Sequence, residues 1–255
     1  MEKENIVKSV DRALQVIDIV STRKEGYGVT ELARQVDLNK SSVYRILSTL
    51  AAHGYMEQDQ ETGRYKLGYK VLELSARLLD SIDLRAEARP FLKELEAMTN
   101  EVVHLVVYDQ GEVVYIEKLE GNETLRMHSQ VGKRAPMHCT SVGKVILAHL
   151  PPEEMERIIA KKGLPRHTEH TITDLATFRR HLDEIRKWGY ALDQEENESG
   201  ITCIAAPIFG YNGKVAAAVS VSGPTIRMTE QRLHELKDKI MEVGRNISRR
   251  LGYRE

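Results

Sequence analysis

The chain has 255 residues, 37 Lys/Arg against 38 Asp/Glu, a formal net charge of −1 and 29% charged residues. That composition excludes a disordered or membrane-spanning chain, and the longest largely apolar stretch, Val215 to Val221, is far too short to cross a bilayer. The length allows one large domain or two ordinary ones. The opening MEKENIVKSVDR lacks the apolar core of an export signal. Cys139 and Cys203 show neither metal-type nor redox spacing, so a cytoplasmic location is expected.

In chain order, Val10, Ala13, Leu14, Ile17 and Val20 fall on one face of a helix over roughly residues 8–21. After Gly26 and Gly28, Thr30 offers a cap oxygen to a short helix carrying Leu32, Ala33 and Val36. Asn39 caps a third helix whose apolar face is Val43, Ile46, Leu47 and Leu50, ending at Gly54. Two helices around a tight turn, supported by one ahead, predict a helix-turn-helix. Residues 55–58 and 64–67 flank the turn-rich Asp59-Gln60-Glu61-Thr62-Gly63, a β-hairpin where a wing belongs.

From Tyr69 to Asn100 the pattern is helical, with Leu72, Ser75, Ala76 and Leu79 on one stripe. Leu84, Ala88, Phe91, Leu92 and Leu95 form another, and Pro90 marks an irregularity. A second domain follows. Residues 102–108 and 112–119 flank the Asp109-Gln110-Gly111 turn, and a third strand is read over 124–130. Helices are expected at 141–149, 153–161 and 174–188. A hairpin of 201–209 and 214–222 follows, with a closing helix over 230–251. The organisation is therefore α+β: a winged helix-turn-helix over 1–68, a helical linker over 69–99 and a mixed α/β domain over 100–255.

Residues 1–67 hold ten Lys/Arg and ten Asp/Glu, so a nucleic-acid function rests on where the charges sit and not on their sum. Between Leu38 and Met56 there is no acid, and the third helix turns Lys40, Ser41, Ser42, Tyr44, Arg45 and Ser48 outward. Hydroxyls and cations on such a face suit a major groove, with Arg45 long enough for a bidentate guanine contact. Arg64 and Lys66 on the wing would meet phosphates or the minor groove. A generic solvated face is the simpler explanation for a lone helix, but the turn and wing in register favour DNA.

Two further clusters are candidates for a ligand. Gly132-Lys133-Arg134-Ala135-Pro136-Met137-His138 runs into Cys139-Thr140-Ser141-Val142-Gly143-Lys144, where small residues begin a helix whose backbone N–H groups can meet an anion. Asp193 ends a short strand before a polar loop, and Ser220 and Ser222, two apart, share one face of a sheet with Ala216 and Ala218. Either cluster reads equally as a capped helix or a packed sheet face.

At this point the residues resemble a known family. Ser9-Val10-Asp11-Arg12-Ala13-Leu14, Ala135-Pro136-Met137-His138 with Gly143-Lys144, and Cys203-Ile204-Ala205-Ala206-Pro207-Ile208 with Ser220-Val221-Ser222-Gly223-Pro224 are similar to the IclR family of transcriptional regulators, in order and spacing, over nearly the whole chain. The resemblance implies a GAF-like effector-binding domain, a homodimer or homotetramer, a palindromic double-stranded DNA operator, and control by a small organic acid such as a sugar acid or keto acid. It also implies an effector pocket lined by Ser141, Val142, Asp193, Cys203, Ser220 and Ser222, with apolar walls at Met127 and Ala135. A repressor of a catabolic operon is the expected role, with no cofactor, metal or membrane involved. No Lys or Arg stands among those pocket residues, so backbone dipoles and hydroxyls are expected to neutralise the acid.

An enzyme using Cys203 as nucleophile is the rival from another class. His104, His128, His138 and His149 are available as bases, but nothing fixes one beside a cysteine that reads as buried. His167-Thr168-Glu169-His170 is a weak metal signature for which a polar loop suffices.

Overall fold

A computed structural model describes residues 6–121 and 129–254, with side chains omitted at 79–81. The chain forms two compact units, Met1–Ile82 and Asp83–Glu255, so the division falls inside the stretch read as a linker.

The first unit holds α1 (Lys8–Ser21), α2 (Val29–Gln35), α3 (Lys40–Ala52), the hairpin β1 (Met56–Gln58) and β2 (Tyr65–Leu67), and α4 (Tyr69–Ser81). Val16, Val20, Leu32, Ala33, Val43 and Leu47 from the first three helices close a core with Tyr27, Met56 and Tyr65. The expected buried face of α1 holds only in its second half. Val10 and Leu14 are each 55% exposed, because this small core covers α1 only from Val16 onward. The cap expected at Thr30 is also corrected. The helix starts at Val29, and Gly28 takes the cap position. Glycine has no side-chain oxygen, so Glu31 accepts from the Gly28 N–H instead (3.1 Å). Asn39 caps α3 as read, its Oδ1 accepting from the Ser42 N–H at 2.8 Å.

Gly26 fixes the wing. Its φ is +72°, and an added Cβ would lie 2.3 Å from the Tyr65 carbonyl oxygen. Only glycine lets the backbones approach so closely that Tyr27 and Tyr65 exchange two hydrogen bonds of 2.9 Å, bringing β2 against the entry to α2.

The second unit begins with α5 (Leu84–Thr99), β3 (Val102–Asp109) and β4 (Glu112–Leu119). It continues through β5 (Arg134–Pro136), α6 (Ser141–His149), α7 (Pro152–Lys162) and α8 (Leu175–Trp188), and ends with β6 (Ala191–Gln194), β7 (Ile201–Phe209), β8 (Val215–Pro224) and α9 (Glu230–Arg250). The irregularity expected at Pro90 does not break α5, which runs through it. Pro90 is on the exposed side, where water can satisfy the freed Ala86 carbonyl, while Ala88, Leu92 and Leu95 on the other side are buried. The strand read over 124–130 falls largely on residues 122–128, outside the described residues, as does Met127.

Among the described residues, six strands form one sheet in the order β5-β4-β3-β8-β7-β6, and every neighbouring pair is antiparallel. One face packs Val106, Val113, Ala205 and Ala218 against Val145, Ile146, Leu147, Ile158, Phe178, Leu182 and Ile185 from α6, α7 and α8. On α9, Leu236, Ile240, Val243 and Ile247 are buried, and Gly244 comes close to the Pro207 carbonyl of β7.

Candidate functional site

In the first unit, α3 buries Val43 and Leu47, and that rotation turns Lys40, Ser41, Tyr44, Arg45 and Ser48 to solvent. Ser42 is half-buried beside the Asn39 cap. Arg12, on the exposed side of α1, lines the same shallow groove as Ser42 and Arg45. A helical pattern alone gave no reason to single it out.

The two wing cations differ. Lys66 is exposed and at 4.0 Å from Glu57, a loose pair. Arg64 is half-buried and already bonded: Nη1 donates to the Gly26 carbonyl (3.0 Å) and Nη2 to Glu31 Oε2 (3.1 Å). Glu31 also accepts from the Gly28 N–H, and that bond together with Arg64 holds its carboxyl below the usual range. Arg64 thus ties the wing to the start of α2.

In the second unit the sheet register assembles the other cluster. Asp193 stands opposite Cys203, and Cys203 opposite Ser222, giving one row across β6, β7 and β8. In the next row, Ala205 faces Ser220 and Ser220 faces His104 on β3. The Ser141–Val142 end of α6 faces these rows. Thr140 caps it, accepting from the Gly143 N–H (3.1 Å) and donating to the Pro136 carbonyl (2.6 Å). Gly143 is needed because an added Cβ would fall 2.4 Å from the Met137 carbonyl oxygen. The helix start is thereby pressed onto the turn that follows β5.

Between these elements lies a cavity of about 240 Å³. It brings together Ser141, Val142, Asp193, Cys203, Ser220, Ser222 and Ala135, with Met127 outside the described residues. It also contains His104, Tyr115, Ser129 and Asn197, which sequence reasoning missed except for His104, weighed only as a base. Strand pairing brings in His104 and Tyr115, loops bring in Ser129 and Asn197, and no local motif marks the set. The expectation of a pocket without basic residues is corrected: Lys133 and Arg134 line it. Arg134 opens β5, a three-residue strand too short to show periodicity, and Lys133 precedes it. Arg134 is paired with Asp109 and Glu112.

Burial sets the chemistry of the cavity. His104 is neutral, pushed down to about 3 by desolvation and by the Lys118 charge. Its Nε2 is 2.7 Å from Ser129 Oγ, and its Nδ1 is 3.4 Å from both Ser220 Oγ and Ser222 Oγ. Desolvation pushes Asp193 up to about 7, against the pull of Lys144. Asp193 Oδ1 accepts from the N–H groups of Glu196 (2.8 Å) and Asn197 (3.3 Å), holding the loop after β6. Burial and Asp193 raise the Cys203 thiol well above its ordinary value, the reverse of what an attacking thiolate needs.

Beneath the cavity, Lys144 of α6 is fully buried and paired with Glu196 Oε1, while its Nζ is 3.3 Å from His181 Nε2. Glu196 Oε2 is buried without a hydrogen-bond partner among the described residues.

A winged helix-turn-helix in one unit and a polar ligand cavity in another define a transcriptional regulator with its own sensor domain. The model of the IclR helix-turn-helix domain matches residues 9–60, and that of the bacterial transcriptional regulator IclR C-terminal domain matches 76–249. The chain belongs to the IclR family of transcriptional regulators. It is 39% identical to the HTH-type transcriptional regulator KdgR of Dickeya chrysanthemi over 98% of this chain and 81% of that one. It is 32% identical to the HTH-type transcriptional repressor AllR of Klebsiella pneumoniae, over 96% and 90% respectively. The crystal structure of the Thermotoga maritima IclR aligns with a TM-score of 0.66 at 34% identity, covering 96% of this chain and 99% of that one. No helix among the described residues is long and apolar enough to cross a membrane.

Proposed function

We propose that the chain is a repressor that holds a palindromic operator as a homodimer or homotetramer and responds to a small hydroxylated or keto monocarboxylate, such as a sugar acid. The observation that carries the effector class is the cavity, where two rows of polar side chains oppose a helix N-terminus. The first N–H groups of α6 have no intrahelical partners and suit a carboxylate, with Lys133 adding positive charge. Ser220, Ser222 and neutral His104 supply donors and acceptors for hydroxyl or keto oxygens. At about 240 Å³ the cavity is smaller than drug-sized pockets, which start near ~300 Å³.

Lys40, Ser41, Tyr44, Arg45 and Lys66 would contact DNA. Arg64 has a structural part, and its relative AllR is named a repressor. A second copy of the chain is the partner that Leu72 and Leu78 on α4 call for, at 65% and 62% exposed. The chain acts by binding and not by catalysis, in keeping with the raised Cys203 thiol.

Calorimetry with monocarboxylic sugar acids, short keto acids, dicarboxylates and aromatic acids tests the effector class. Ser222→Ala is expected to lower affinity for the hydroxylated acids by about 0.5–1.5 kcal/mol. Preference for an uncharged or purely aromatic compound, unaffected by that change, overturns the assignment. A gel shift with the bound acid then checks release from operator.

A further inference from the structure

The sequence offers His167 and His170 as a local metal pair, but the fold uses His167 differently. Among the described residues, His138, Cys139 and His167 bring one donor atom each to within 4.8 Å of one another. His138 and Cys139 are neighbours in the turn between β5 and α6. On a strand adjacent side chains diverge, whereas a turn lets them converge. Both are buried, and His167 is exposed, which leaves an entry path.

The donor chemistry matches this geometry. His138 Nε2 is 2.9 Å from the Pro165 carbonyl oxygen. A carbonyl only accepts, so Nε2 carries the proton and Nδ1 carries the lone pair. A metal-bound imidazole is oriented by the same kind of outer hydrogen bond. His138 and His167 also line a cavity of about 230 Å³ with Met137, Leu164 and Pro165, which shares Arg134, Ala135 and Pro136 with the effector cavity.

The geometry points to a transition-metal site of zinc type at His138, Cys139 and His167, with the fourth position open to solvent. Two imidazoles and a sulfur are a borderline-soft donor set, selecting zinc over magnesium or calcium. Metal–nitrogen bonds of about 2.1 Å and a metal–sulfur bond of about 2.3 Å place tetrahedral donors roughly 3.5 Å apart. Closing from 4.8 Å therefore takes about 1 Å of movement, within reach of the exposed His167 side chain.

Binding replaces the Cys139 S–H bond by a sulfur–metal bond and releases one proton to solvent. Because binding releases that proton, metal affinity rises with pH. There is a consequence for the effector loop. Cys139 Sγ donates to Asn197 Oδ1 at 3.5 Å, and Asn197 lines the effector cavity. A thiolate cannot donate, so metal binding breaks this bond and Asn197 must turn its amide N–H toward the sulfur. Metal occupancy is thereby linked to the position of residues 194–200.

The test is titration of the tag-free full chain with Co²⁺, followed by zinc displacement. One equivalent of Co²⁺ is expected, with a thiolate-to-cobalt charge-transfer band that zinc abolishes. Cys139→Ser removes the band, His167→Ala weakens binding about tenfold or more, and Cys203→Ser and His170→Ala leave both unchanged. His167 is exposed, so its variant tests the site even if Cys139→Ser fails to fold. Absence of the band in the folded wild-type chain overturns the proposal. So does a band that survives Cys139→Ser or disappears in Cys203→Ser, which would move the ion to the effector cavity.

Discussion

Lys144→Met should expose how much the effector loop depends on one buried ammonium. Lys144 is fully buried and paired with Glu196, whose second oxygen already lacks a partner among the described residues. Removing the lysine leaves a carboxylate in low dielectric, and breaking such a pair costs about 3–5 kcal/mol. Glu196 can limit that cost by taking up a proton. Burial already raises its pKa, and Lys144 is the charge that opposes the rise. At pH 7, protonating a carboxyl of ordinary value 4.5 costs at most about 3.4 kcal/mol, at about 1.4 kcal/mol per pH unit.

A raised carboxyl destabilises the folded state above its unfolded pKa. The penalty therefore grows as pH rises from about 4.5, at about 1.4 kcal/mol per unit, and vanishes below it. The chain has one tryptophan, Trp188, at the end of α8 in the second unit, so its fluorescence in urea follows that unit. Glu196→Gln in the Lys144→Met background should recover most of the loss. A pH-independent loss, or a double variant no more stable than the single one, would refute the reasoning.

Other outcomes follow from the same structure. Asp193→Asn keeps the acceptor for the Glu196 and Asn197 N–H groups but removes a carboxyl raised from 3.8 to about 7. The wild type loses stability as pH climbs through that window, so the variant should gain up to about 4 kcal/mol at pH 8 in the Trp188 assay, and none at pH 4. Arg45→Ala should weaken specific operator binding by about 1–3 kcal/mol and relax one base position, checked by gel shifts on mutated operators. Lys66→Ala should flatten the salt dependence by about 0.9 in log–log slope, whereas Arg64→Ala should leave the slope unchanged and lower the melting temperature of the first unit. Leu72→Glu should shift the chain toward monomer in light scattering without unfolding it, because Leu72 is 65% exposed.

The sequence by itself determined the elements. Apolar spacing placed α3 and its exposed face, Asn39 marked its start, and turn residues marked the hairpins, because caps, turns and amphipathic faces are local properties. A spacing of two also put Ser220 and Ser222 on one sheet face, while the rest of the effector cluster was what the family resemblance implied.

What only the tertiary structure decided depended on distance in sequence. His104 meets Ser220 through register across 116 residues, and Lys144 meets Glu196 across 52. His167 joins His138 and Cys139, and not His170, because a turn and a loop converge. Arg64, read as a phosphate or minor-groove contact, is held against the start of α2 because Glu31 and the Gly26 carbonyl lie within its reach. A side chain's type and spacing are written in the sequence. Its partner is set by which strands pair and which backbones approach, and those depend on packing over the whole unit.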